Sequence, residues 1–144
     1  MKHLLTAAAL LIVSTANAAD LVARDAWIPT APPSVMSRAA YVTLENTGAS
    51  PMGIVSVSAE GFGMAHLHES KMQADGVMSM SAVMQLDIAP GTVLDMAPGG
   101  LHIMLMHGHT PLAEGEAVAL TLTLTDGSTL LVDAVVKPSS ANDS

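Results

Sequence analysis

The chain has 144 residues, half of them hydrophobic, with thirteen acidic against five basic side chains and a formal net charge of −8. That is the length of one domain with enough apolar material for a packed core. The acidic balance argues against nucleic acid and anionic membranes as partners, and Trp27, Tyr41 and Phe62 are too few aromatics for a base-stacking platform. There is no cysteine, which excludes disulfides, thiol redox catalysis, a blue-copper centre and lipid attachment through an N-terminal cysteine.

Met1-Lys2-His3 is a short basic start, Leu4 to Val13 an apolar run, and Ala16-Asn17-Ala18 a small-x-small cleavage pattern. In that order they predict a secretory signal over 1–18, cleaved after Ala18. The exported domain is then 19–137, followed by a small polar tail, 138–144, expected to fray. No later run is apolar enough to span a bilayer.

Asp20 to Trp27 predicts a strand with Trp27 as a core anchor, and Pro29, Pro32 and Pro33 predict an extended loop after it. Arg38 to Glu45 is rich in strand formers and ends at the turn signal Asn46-Thr47-Gly48. Gly53 to Ala59 alternates apolar and polar residues, a half-buried strand broken by Glu60 to Gly63. Met64 to His68 is the next predicted strand. Glu69 to Gly76 is polar and ends in the turn signal Asp75-Gly76, and Val77 to Leu86 is another extended segment. Pro90-Gly91 and Pro98-Gly99-Gly100 bracket a short apolar piece, Thr92 to Met96. Leu101 to His107 follows, then a loop from Gly108 to Glu116. Ala117 to Thr125 and Ser128 to Lys137 form a hairpin about Asp126-Gly127. Short strands punctuated by turn residues, with no capped helical period, predict an all-β antiparallel sandwich or barrel.

Chemistry concentrates between Met64 and Met106, which holds eight of the eleven methionines and three of the six histidines. Side chains alternate faces along a strand. In Leu101-His102-Ile103-Met104-Leu105-Met106 the odd positions are aliphatic and the even ones are His, Met, Met. Met64, His66 and His68 share one parity against Ala65 and Leu67, and Met78 and Met80 repeat the pattern more weakly. Brought together, such segments supply two imidazoles and two thioethers. That donor set suits Cu(I); zinc favours Cys, His or carboxylate, and calcium and magnesium favour oxygen. Met36, Met52 and Met96 are read as packing residues and His107 and His109 as surface residues. Because imidazole must be unprotonated to ligate, copper affinity is expected to fall below about pH 6.

These residues resemble the periplasmic copper chaperones of the PCu(A)C type. The pattern is His68, Glu69, ten residues, Met80, twenty-one residues, then His102-Ile103-Met104. Ala26-Trp27, the run Tyr41 to Gly48, His68-Glu69, Gly76-Val77-Met78, Pro98-Gly99-Gly100 and Pro111-Leu112 also look like the family. The resemblance implies an antiparallel Greek-key β-sandwich of cupredoxin-like fold and a Cu(I) site of His68, Met80, His102 and Met104, with Cu(II) as a second candidate ion. Two departures stand out. Glu69 occupies a position where the motif allows a Met, and the tail from Lys137 to Ser144 lacks the His and Met that some members carry there. His66, Met78 and Met106 have the parity of alternate ligands.

The function so implied is delivery of Cu(I), by ligand exchange in the periplasm, to the Cu(A) centre of cytochrome c oxidase or to another assembly chaperone. The chain is expected to be a monomer, not inserted in a membrane and not an enzyme. The rival reading with the same ligands is a copper buffer or resistance protein. A hydrolase is disfavoured because neither a Gly-x-Ser-x-Gly elbow nor a His-Glu-x-x-His helix is present. A metal-free adhesion sandwich would be argued against by loss of Cu(I) binding in a His102→Ala, Met104→Ala variant.

Overall fold

The chain forms ten strands, seen in a computed structural model that describes residues 20–139. They are β1 (Leu21–Pro29), β2 (Arg38–Asn46), β3 (Met52–Ala59), β4 (Phe62–Met72), β5 (Met78–Ala82), β6 (Leu86–Ile88), β7 (Val93–Asp95), β8 (Leu101–Gly108), β9 (Ala117–Leu124) and β10 (Thr129–Lys137). The signal segment 1–18 and most of the polar tail lie outside the described residues. Hydrogen bonding runs β5-β4-β8-β2-β1-β10-β9-β3-β6, with β7 also on β2. Every pairing is antiparallel except β1 with β10, so the sheet is mixed rather than wholly antiparallel.

Strand β2 joins two layers. Its first residues, Arg38 to Ala40, pair with β8, whereas Thr43 to Glu45 pair with β7. The smaller layer is therefore β5-β4-β8-β2, and the larger one holds β1, β10, β9, β3 and β6. Alternate residues of both feed one core: Ala65, Leu67, Ile103 and Leu105 from the first, and Ile54, Leu120, Leu122 and Ala134 from the second. This is the all-β sandwich that the alternation requires.

Two segments differ from the sequence expectation. The polar stretch from Glu69 onward is strand, not loop, because the turn is tighter than its composition suggests. The Gln73 N–H donates to Val77 O at 2.8 Å, the Gly76 N–H to Gln73 O at 3.0 Å, and Gly76 takes φ +82°. The flanking residues are thereby drawn into a β4–β5 ladder from His68↔Ala82 to Met72↔Met78. Glu69, Ser70 and Lys71 can be polar there because this arm stands largely in solvent, with no buried residue in β5. Val77 to Leu86 is two strands, since the chain changes layers. Val83 N–H still donates to Leu67 O at 2.9 Å, and then β6 pairs with β3 on the other sheet.

Two buried polar side chains pin loops near these layers. Asn46, expected in a turn, ends β2 fully buried: its Nδ2 donates to Ser50 O and Ile88 O at 2.9 and 2.8 Å, and its Oδ1 accepts from Gly48 N–H at 3.0 Å. Arg38 is buried, with Nη1 donating to Pro29 O at 2.9 Å and Nε to Val35 O at 3.3 Å. It thus holds both ends of the proline-rich loop between β1 and β2.

Candidate metal centre

The register of β4 against β8 builds the centre. Met64 faces Met106, His66 faces Met104, and His68 faces His102. The intervening pairs, Ala65 with Leu105 and Leu67 with Ile103, turn into the core and are all buried. One side of two adjacent strands therefore carries only thioethers and imidazoles at these six positions. On β5, Met80 faces Ser70 and Met78 faces Met72 on that same side.

His68 and His102 are the heart of this face, their ring centroids 5.9 Å apart. His102 is buried, which parity alone did not indicate: Tyr41, which packs on Trp27, brings its ring centroid to 6.5 Å from that of His102. The His102 Nδ1 lies 3.0 Å from the Gly100 carbonyl. A carbonyl only accepts, so Nδ1 carries the proton and Nε2 of the neutral ring keeps its lone pair for a ligand. The same carbonyl accepts the Ser70 N–H at 3.0 Å, which ties the Pro98-Gly99-Gly100 turn to β4.

His68 Nδ1 is buried and has no hydrogen-bond partner. An orphaned buried imidazole nitrogen calls for an explanation, and a metal ion is one that supplies the missing partner. Burial, then the nearby imidazoles of His102 and His66, hold the His68 pKa below the ordinary histidine value. Both causes favour the neutral ring, the form that ligation requires. Among the described residues no group of three or more His, Cys, Asp and Glu side chains is placed to share a metal ion. The donors adjoining the two imidazoles on this face are thioethers, which suit a soft cation.

Of the four residues expected as ligands, the strand register assembles His68, His102 and Met104 most directly. Met104 is the diagonal neighbour of His68, at roughly 7–8 Å. Met80 sits on the other side of His68, out on the β4–β5 arm, and is 52% exposed. Along an ideal strand Met80 and Met104 stand about 13 Å apart in the strand direction. The register alone does not bring Met80 up to the other three. Among the alternates, His66 is exposed, Met106 is half-buried and Met78 lies further out on the arm. His107 and His109 are exposed, and Met96 is buried in the core. Sequence reading missed Tyr41 and Gly100 as the groups that cover and orient His102. The run Tyr41 to Gly48 and the Pro98-Gly99-Gly100 turn stood out by resemblance, but nothing in the sequence tied either to His102.

A cavity of about 600 Å³ lies elsewhere, beside Asp25, Trp27, Asp95 and Pro98. No histidine lines it, so it offers no Ser-His-Asp arrangement.

Comparison with known proteins agrees with this architecture. The sequence profile of the family described as "Putative lipoprotein LpqE-like" matches residues 21–136. "Putative lipoprotein Lxx21020" of Leifsonia xyli subsp. xyli is 34% identical over 119 residues, spanning 82% of this chain and 70% of that protein. The 144 residues here include no cysteine to carry a lipid. The solution structure of Cu(I)-DR1885 from Deinococcus radiodurans is 36% identical, with a TM-score of 0.63 over 82% of this chain and 78% of that one. The apo PCuAC domain from PmoF1 is 21% identical and shares the fold, with a TM-score of 0.68 over 83% of this chain and 94% of that one. The chain belongs to the LpqE-like family and has the cupredoxin-like fold of the PCuAC domains.

Proposed function

We propose that this protein is an extracytoplasmic copper chaperone. It takes Cu(I) on His68, Met80, His102 and Met104 and passes it by ligand exchange to the Cu(A) centre of cytochrome c oxidase. The observation that carries the reading is the imidazole pair, 5.9 Å apart, with an orphaned His68 Nδ1 and thioethers on the same face. The solved relative from Deinococcus radiodurans is named for its Cu(I) form, which supports the choice of ion. Delivery to the oxidase rests on the resemblance of the His68, Met80, His102, Met104 spacing to the copper chaperone pattern.

The ligands are neutral, so the site holds a monovalent soft ion without gathering charge and yields it to a recipient offering thiolates. Met80 on the exposed arm is the donor best placed to leave first, which opens the ion to an incoming ligand. No side chain here performs covalent or acid–base chemistry in this scheme, and the chain, lacking cysteine, cannot itself reduce a recipient's disulfide.

The test is a Cu(I) titration under reducing conditions, with X-ray absorption to count sulfur and nitrogen neighbours, followed by mixing with the apo copper domain of the oxidase. Two sulfur and two nitrogen neighbours and copper transfer are expected. A site without sulfur would overturn the ligand assignment. Copper kept by this chain in the presence of the apo recipient would favour a buffering role.

A further inference from the structure

We propose that Met64, His66 and Met106 form a second soft-metal site beside the first, for a second monovalent ion of the Cu(I) class. The choice of ion rests on the copper-binding reading above; the site itself rests on a separate set of residues. Met64 and Met106 are directly opposed across β4 and β8, which places their Cβ atoms roughly 4.5–5.5 Å apart. His66 is on the same face two residues along β4, at roughly 6.5 Å. Two thioethers and an imidazole thus share one face at neighbouring positions of two directly paired strands.

Packing does not account for Met64 and His66, and Met106 is only half-buried. The core beneath them is filled from the other side of the same strands by Ala65, Leu67 and Leu105. Met64 is 44% exposed and His66 is exposed, so their side chains gain little from burial where they stand. Nor does one ion serve the whole face. His102 and Met106 are four residues apart along β8, about 13 Å on an extended strand, which is too far for shared ligation. The donors fall into two groups, with Met104, opposite His66, standing between them. The His66 and His68 rings are 6.4 Å apart, so an ion on the second group lies next to the first site and can be handed along the face.

The test is titration of the protein with Ag(I), a redox-inert stand-in for Cu(I), followed by native mass spectrometry and methionine-methyl NMR. Two ions per chain are expected, with the Met64 and Met106 methyls moving in step with one of the two equivalents and Met104 with the other. The Met64→Leu, Met106→Leu variant, conservative at a sheet surface, should bind one ion with the affinity of the remaining equivalent unchanged. The His102→Ala, Met104→Ala variant should lose the other equivalent and still shift Met64 and Met106. A wild-type protein that binds one ion while the Met64 and Met106 methyls stay still overturns the proposal. So does a single ion whose affinity drops in the leucine variant, because those methionines would then serve the first site. If His102→Ala, Met104→Ala still binds two ions while the leucine variant binds one, the second site stands and the His68/His102 assignment fails.

Discussion

His102 is where the chemistry of single residues is most constrained. Its Nδ1–H is committed to the Gly100 carbonyl, and its ring is buried beside Tyr41. It cannot turn to offer the other nitrogen without breaking that bond, so the direction of its lone pair is fixed before any ion arrives. His102→Ala combined with Met104→Ala should weaken Cu(I) binding at this site by at least about a hundredfold, since each lost donor costs on the order of 1.4 kcal/mol or more. Competition with a Cu(I) chelator measures it. His68 sets the pH response. Its pKa is lowered by burial and by the neighbouring imidazoles, so the proton competes with copper only below the ordinary histidine range. Lowered folded-state basicity also means that the unfolded chain binds this proton more readily. The apo protein should therefore keep His68's contribution above the unfolded histidine value and lose stability as pH falls past it. Denaturation midpoints at pH 7 and pH 5, compared between wild type and His68→Gln, should show the acid loss shrinking in the variant.

At the scale of elements, strand β8 supports both the core and the site. Ile103 and Leu105 are fully buried while His102 and Met104 lie on the other side. Ile103→Ala should cost about 2–5 kcal/mol by the loss of buried methyl groups and the cavity left behind, read from urea denaturation. It should weaken copper binding only through loss of folded protein. The β4–β5 arm behaves differently. It is a two-stranded extension with no buried residue in β5, and its opening costs little global stability. Met80→Leu should leave the melting temperature of the apo protein within a degree or two, and lower Cu(I) affinity by about tenfold or more, one ligand's worth. Arg38 is the contrasting case of an element held in place. Replacing it with Ala removes donors from the Pro29 and Val35 carbonyls, at a cost of on the order of 2–3 kcal/mol, visible as a lowered denaturation midpoint.

For the whole molecule, stability comes from a single core shared by two sheets, with no disulfide to support it. An ion bound only by the folded state adds to that stability by mass action, about 4 kcal/mol when free ion is a thousandfold above its dissociation constant. Calorimetry with and without Cu(I) should show a marked rise in melting temperature in the wild type and a clearly smaller one in a variant lacking the imidazole pair. The net charge of −8 disfavours association with polyanions such as nucleic acid.

Much of this was legible before any coordinates. Alternation in Leu101 to Met106 and in Met64 to His68 assigned which residues enter the core and which carry donors, because a strand has only two faces and a core accepts only one kind of side chain. Turn residues placed most strand ends for the same local reason. Other features depended on partners distant in sequence. That His68 meets His102, and Met64 meets Met106, is a matter of register between β4 and β8, and register is fixed by how two strands pack over a common core. The burial of His102, the orphaned nitrogen of His68 and the splitting of Val77 to Leu86 across two layers belong to the same class. Sequence by itself determined the composition of each face, since that is a local property of the chain. Only the tertiary structure decided which faces adjoin, since adjacency arises from long-range pairing that no single strand encodes.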